Sequence, residues 1–199
     1  MKKTMMFLTT ILLSVSANAR NQDHKYHVFG KLLMRKEVVE QGTDTGFDYS
    51  ATYRSDEYAK GIGFEYLHDI SDKYTVAFGL EYNFDQSIDM GVITFDTISG
   101  AGKLDGVDFQ STSLNVNFQA KVINELYLIG GIRYDINKLS GIERATIDDG
   151  LGLNFGLAFD INNFRTQAVY KIANHDVDAS DVDGKIDLSS VHLTFGYLF

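Results

Sequence analysis

The 199-residue chain contains no cysteine and no proline. Without cysteine there are no disulfides to staple the fold, no thiolate nucleophile and no cysteine-ligated metal. Without proline every residue keeps its backbone N–H, which suits a chain whose residues are mostly engaged in strand ladders. Long apolar runs are missing as well. The best candidate, Met5 to Val15, is interrupted by Thr9 and Thr10, and nothing later reaches the ~18–20 consecutive apolar residues that a spanning helix requires. If the chain crosses a bilayer, strands must do it. Cations are scarce too, with 18 Lys and Arg against 27 Asp and Glu and a formal net charge of −9, a balance that argues against nucleic acid as a partner.

What is present begins with a leader. Lys2-Lys3, the apolar run and Ala17-Asn18-Ala19 form a charged, apolar and small-x-small series, the pattern of a cleaved secretory signal. Residues 1–19 are therefore expected to be removed, leaving 20–199 as one domain by length. Loss of Lys2 and Lys3 takes the net charge to −11.

The remainder alternates with a period of two, the signature of strands with one apolar and one polar face. The clearest run sets Tyr74, Val76, Phe78, Leu80, Tyr82 and Phe84 against Thr75, Ala77, Gly79, Glu81 and Asn83. Its eleven residues match the ~9–11 that a tilted strand needs to cross a bilayer. Similar runs start near Tyr26, Tyr58, Ser113, Leu126, Leu151, Phe164 and Asp187, eight in all. The first alternates least cleanly, because Phe29 and Leu33 fall on its polar side. Long polar stretches at 37–57, 85–108, 138–149 and 174–186 read as loops. Tight turns are expected at 69–73, 123–125 and 162–163, the last a primed turn at Asn162-Asn163. Gly-apolar-charged-Tyr recurs at Gly63 to Tyr66, Gly79 to Tyr82 and Gly131 to Tyr134, each time with Tyr on the apolar face.

An eight-stranded barrel can point its apolar face inward, as soluble lipocalin-like barrels do, or outward to lipid. The polar face chooses the second, since its small and charged residues cannot fill a dry core. Assigning that face to a lumen gathers Lys31, Arg35, Lys121, Arg133, Arg165 and Lys171 with Glu65, Glu81, Asp135 and Asp160. Eight strands leave an interior just wide enough for side chains, so an interleaved salt-bridge network is expected to plug it. Gly61, Gly63, Gly79, Gly131, Gly152, Gly156 and Gly196 also point inward, where they leave room for water. Lys60 is the one charge expected on the lipid face, near the outer end of its strand, within reach of a lipopolysaccharide phosphate.

Three other features bear on chemistry. Segments 37–57, 85–108, 138–149 and 174–187 hold 19 of the 27 acids. The densest, Asp176 to Asp187, misses the calcium-loop register, because aligning Gly184 with the obligatory glycine puts Ala179 at the first ligand position. Ser190 and His192 lie two residues apart on the inward face, with Asp160 or Asp135 as a conceivable third member, but no nucleophile motif surrounds Ser190. His24, His27, His68 and His175 fall at ends and turns without metal-ligand spacing.

The chain closes on Leu193, Phe195, Tyr197 and Phe199, and here it resembles the small eight-stranded outer-membrane β-barrel superfamily, which includes opacity-like surface antigens and the transmembrane domains of outer-membrane protein A. The resemblance implies an all-β, antiparallel up-and-down transmembrane barrel in the bacterial outer membrane, with periplasmic turns and extracellular loops. It implies that the terminal aromatic pattern is read by the barrel-assembly machinery, and that the partners are outer-membrane lipid, lipopolysaccharide and a host or surface ligand of the loops. No cofactor is expected. The expected role is a non-enzymatic surface protein displaying four acidic loops for adhesion, host interaction or envelope integrity. The alternative is a narrow porin-like channel for ions or small solutes.

Overall fold

The computed structural model describes residues 24–34, 37–44, 47–54, 58–95, 98–141, 145–179 and 182–199; the expected leader lies outside them. In chain order the strands are β1 (His24–Met34), β2 (Glu37–Asp44), β3 (Phe47–Arg54), β4 (Ala59–Ser71), β5 (Tyr74–Phe95), β6 (Ile98–Ile123), β7 (Leu126–Ser140), β8 (Ala145–Ile147), β9 (Gly150–Ile161), β10 (Phe164–Ala179), β11 (Val182–Asp187) and β12 (Ser190–Leu198). Among the described residues no helix is long and apolar enough to cross a membrane.

Eight of these strands, β1, β4, β5, β6, β7, β9, β10 and β12, pair antiparallel in a ring. The ring shuts between the first and last strands, from His27 opposite Leu198 to Met34 opposite Val191. Just beyond, Phe199 N–H donates to Tyr26 O at 2.8 Å. The expected eight-stranded barrel is thus the observed one, and closure leaves its wall without a free edge.

The register sets the lean of the strands. From Gly61 the paired residues run one way through Lys31, Thr194, Gln167 and Ala158 to Tyr127. The other way they run through Asn83 and Ser111 to Asn137. Both paths end on β7, ten residues apart, so the barrel has a shear of ten and its strands tilt by about 35–45°.

The short connections are two-residue turns, Asp72-Lys73, Asn124-Glu125 and Asn162-Asn163. Asn124 and Asn162 adopt φ of 33° and 55°, which asparagine tolerates better than most residues. Asn163 does not share the positive φ, so the turn expected at 162–163 uses its left-handed residue at the first position only.

The long connections differ from expectation. Their acidic, glycine-containing composition reads as loop, yet most of it is strand. β2 and β3 form a hairpin that pairs on one side with β11 and on the other with the upper part of β5, while β11 pairs with β10 and β8 with β10. Backbone that leaves the barrel still needs hydrogen-bond partners, and the neighbouring hairpins supply them. β6, at 26 residues, extends over roughly 85 Å at ~3.3 Å per residue, far more than a ~30 Å hydrocarbon core. Register shifts in β5 and β6 at Asn83/Gln86 and Ile88/Met90 lie where β5 exchanges β4 for β3 as its partner, as bulges do when they redirect a strand.

The faces are inverted relative to a soluble barrel. Along β12, Ser190, His192 and Thr194 are buried while Val191, Leu193, Phe195 and Tyr197 are exposed, Phe195 at 61%. Leu114, Leu128, Ile132, Leu153 and Phe155 are exposed on the same outer surface. Aromatic rings gather at the end that holds His24 and Phe199: Tyr26 stacks on Phe64 at 5.8 Å, Phe164 on Phe195 at 5.6 Å, and Tyr197 meets Phe199 edge-on at 4.9 Å. This is an interfacial girdle.

Phe155→Arg, midway along β9 on this face, is expected to lower stability in a bilayer by about 2–4 kcal/mol, read by urea unfolding from lipid vesicles. An unchanged midpoint would mean that the face does not meet lipid.

Candidate functional site: the barrel lumen

Because successive residues alternate faces, each wall strand delivers every second side chain to the interior, and the register decides which of them meet. Glu81 on β5 is the hub. It accepts from Lys31 of β1, which forms a short ion pair with Oε2, and from Lys171 of β10, whose Nζ lies 2.6 Å from both carboxylate oxygens. Asn115 Nδ2 of β6 adds a bond of 2.9 Å to Oε1. Glu81 and Lys171 come from opposite walls, so the pair spans the lumen.

Three more carboxylates are similarly engaged. Glu65 Oε2 lies 2.9 Å from His27 Nδ1 and accepts from Gln167 Nε2 at 2.8 Å, again across the barrel. Asp135 accepts from Ser113 Oγ at 2.6 Å and from Arg133 Nε at 2.8 Å, with His175 Nε2 3.4 Å from its other oxygen. Asp160 takes a bidentate pair from Arg165 at 2.6 and 2.9 Å. The Arg165 guanidinium also donates to Gln119 at 3.0 Å and sits 5.1 Å from the Tyr127 ring centroid. Asn154 bridges Asn115 and Asn117 at 3.1 and 2.9 Å. Every buried charge in this set has a partner, as its desolvation demands.

The balance is tighter than the sequence suggests. Lys121, expected in the lumen, is exposed. It lies past the last inward position of β6, at the end of the wall, with its ammonium 5.9 Å from the Tyr127 ring. Arg35 lies outside the described residues. That leaves Lys31, Arg133, Arg165 and Lys171 against Glu65, Glu81, Asp135 and Asp160, four cations and four carboxylates.

The inward glycines do not hold open a water path. A Cβ on Gly63 would collide with the Phe29 ring, and one on Gly196 would lie 2.5 Å from Phe29 Cβ and 2.6 Å from His27 Nε2. At Gly131 the space belongs to Asn117, and at Gly152 Arg133 side-chain atoms lie 3.0–3.2 Å away. The glycines are recesses for neighbouring side chains. Phe29 and Leu33, which spoil the alternation of the first strand, are inward and 3% exposed; Phe29 fills two of these recesses and stacks on His27 at 4.8 Å.

Toward the outer end the lumen turns apolar. Phe109, Ile147, Ala173, Ile186 and Leu188 form a buried cluster, with Leu139 packed against it. Between this cap and the charged layer lies a cavity bordered by Leu33, Phe109, Arg133, Ser190 and His192. Its volume of about 10 Å³ holds roughly one water.

Ser190 and His192 do meet, with Oγ 2.9 Å from Nε2. The carboxylate nearest the other ring nitrogen is Glu81, at 3.9 Å, and not Asp160 or Asp135. Glu81 is already committed to two lysines, and the adjoining cavity has no room for a substrate larger than water. His27 and His175, read as end and turn residues, are buried in the lumen at 0% and 3% exposure. Parity could have found them: His27 shares its face with Phe29 and Lys31, and His175 shares its face with Lys171 and Ala173. Among the described residues no three His, Asp or Glu side chains are grouped to hold a metal.

No family model matches the chain, and no curated protein matches it. Solved structures do. The outer membrane protein OprG from Pseudomonas aeruginosa superposes with a TM-score of 0.62 at 15% identity, over 88% of this chain and 95% of that one. The outer membrane protein AlkL, solved by solid-state NMR in DMPC bilayers, gives 0.52 at 17% identity over 90% and 91%. The fold is that of the outer-membrane β-barrel. At these identities the fold is what is shared. In this fold the aromatic-rimmed belt is the outward face of the wall, and Leu193, Phe195 and Tyr197 lie within it.

Glu81→Gln removes the charge that holds two buried lysines and is expected to destabilise the barrel by about 3–5 kcal/mol, measured by urea unfolding in vesicles. Adding Lys31→Met and Lys171→Met to Glu81→Gln should recover much of the loss, since the uncompensated charges then disappear. No recovery would show that the lysines are not the source of the penalty.

Proposed function

We propose that this protein is a non-enzymatic outer-membrane barrel whose work is done by its exterior: a plugged, rigid stave that carries a wall of acidic β-hairpins above the membrane for adhesion, host interaction or envelope integrity. The observation that carries the reading is the lumen. Charged and amide side chains fill it from wall to wall, an apolar cluster caps it, and the cavity between holds about one water. A barrel closed in this way is a scaffold, and what it holds up is the hairpin extension formed by β2, β3, β8, β11 and the upper parts of β5, β6 and β10.

The hairpins favour display over loose decoration. They pair edge to edge, so a ligand meets a preformed surface and little ordering entropy opposes binding. Their acids give that surface a negative field suited to a basic or cation-bridged partner. The membrane partners in this reading are outer-leaflet lipid and lipopolysaccharide, with the barrel-assembly machinery reading Leu193, Phe195, Tyr197 and Phe199 before insertion.

Purified protein in planar bilayers is expected to give no reproducible conductance steps, and steps from the wild-type chain would replace the scaffold reading with a channel. Deletion of Phe199 is expected to slow assembly in cells, read as loss of the heat-modifiable band; full retention of that band would remove the terminal aromatic from the assembly signal.

A further inference from the structure

The lumen sets four cations against four carboxylates, but not evenly along its length. Toward the cap, Arg133 pairs with Asp135, while Lys31 and Lys171 share the single carboxylate of Glu81. The other two carboxylates are engaged elsewhere, Glu65 with His27 and Gln167, and Asp160 with Arg165. The layer beneath the cap therefore holds three cations and two carboxylates. His175 and His192, which approach Asp135 and Glu81 at 3.4 and 3.9 Å, add no negative charge in either protonation state. At least one positive charge is left uncompensated where little water reaches it, and burial makes that costly.

The cavity beside this layer offers a place for the compensating charge. Arg133 is 5% exposed. Its Nε and Nη2 are held by Asp135 and Ser113, which leaves Nη1 as the corner turned away from that carboxylate. Nη1 is buried and has no hydrogen-bond partner, and Arg133 borders the cavity. A buried guanidinium N–H needs an acceptor. On the same border Asn83 Nδ2 donates to Ser111 Oγ. Either the Ser111 hydroxyl or, with the amide turned over, Asn83 Nδ2 can present a second hydrogen to the space.

Two amide oxygens on the border, Asn83 Oδ1 and Asn137 Oδ1, lack donors. Turning the Asn83 amide over gives its oxygen the Ser111 hydroxyl. Asn137 stays an acceptor, because its Nδ2 is tied to Asp148 O at 3.1 Å. A single water would serve Asn137 but would leave the excess charge in place, and an uncompensated buried charge outweighs one unmade amide bond.

Size narrows the choice further. About 10 Å³ takes a ligand of one heavy atom, which admits a halide and excludes phosphate, sulfate and carboxylates. Leu33, Phe109 and Leu188 complete the border and make no demand for hydrogen bonds.

We infer that this cavity is a buried halide site, with chloride held against Arg133 Nη1 as the counter-ion that completes the plug. The ion enters as the barrel folds, because the cluster of Phe109, Ile186 and Leu188 closes over it.

The test refolds the chain from urea into phosphatidylcholine vesicles in sodium chloride, bromide or gluconate at equal ionic strength. The thermal midpoint is read by heat-modifiable gel mobility. Chloride and bromide are expected to raise it by several degrees over gluconate, which is too large for the cavity, and the increment should saturate with halide concentration. Lys31→Met, which leaves Glu81 one lysine and so removes the excess charge without touching the cavity border, should abolish the increment. Asn83→Asp, which puts a carboxylate on that border, should also abolish it while raising the midpoint in gluconate; this variant carries the test if Lys31→Met does not fold. Crystals grown in bromide should show an anomalous peak within hydrogen-bond reach of Arg133 Nη1. Equal wild-type midpoints in chloride and gluconate, a full halide increment in either folded variant, or a water without anomalous signal at that position would each overturn the site.

Discussion

A backbone that crosses hydrocarbon must find every hydrogen-bond partner inside the protein, and in this chain the obligation is discharged by the ladder between β1 and β12. Eight residue pairs join the two ends of the sheet, and the bond from Phe199 N–H to Tyr26 O extends the seam to the last residue. Everything else depends on that closure. Once the sheet is a ring, one face must line a narrow interior and the other must meet the surroundings. The polar face carries the charged and amide side chains that pair with one another, so it lines the interior and most of the aromatics go out. With no cysteine to cross-link the wall, the seam and the packed interior carry the stability between them.

The interior solves a problem that closure creates. Side chains brought together in a space this narrow lose most of their hydration, so each charge has to be matched. The four cations and four carboxylates described here are matched in number, and the ties of Glu81 to Lys171 and of Glu65 to Gln167 run from wall to wall. Such cross-lumen bonds brace the ring against collapse in the direction where backbone bonds offer no resistance. Glycines contribute by giving up volume: Gly63 and Gly196 make room for Phe29, so that a large ring fits where two walls approach.

The outer end follows different rules, because above the bilayer water is available again. There most of the described residues remain in strands. Its hairpins lengthen the sheet, with β2 and β3 inserted between β11 and the upper part of β5, and the bulges in β5 and β6 mark the change of partner. The apolar cluster of Phe109, Ile186 and Leu188 lies beneath this extension and separates the charged lumen from the outside. The hairpin extension and the apolar cluster beneath it are therefore two consequences of one arrangement.

How much of this was legible follows from the range of each interaction. Alternation is a property of consecutive residues on a pleated backbone, so eight wall strands, their tight turns and their inward and outward faces could be read from the chain directly; Glu81 inward and Phe155 outward needed nothing more. Strand ends were less legible, because acidic, glycine-containing segments look like loops until a neighbouring edge is there to pair with. Hence β2 and β3 were missed, and Lys121 was assigned to the wrong place. Partnership was not legible at all. Glu65 and Gln167 are 102 residues apart in sequence, and nothing local to either names the other. Along the middle of each wall strand the sequence alone determined which face points inward. Only the tertiary structure, through the register and the shear of ten that closure imposes, decided which inward side chains meet, because residues on opposite walls become neighbours only when the ring is shut.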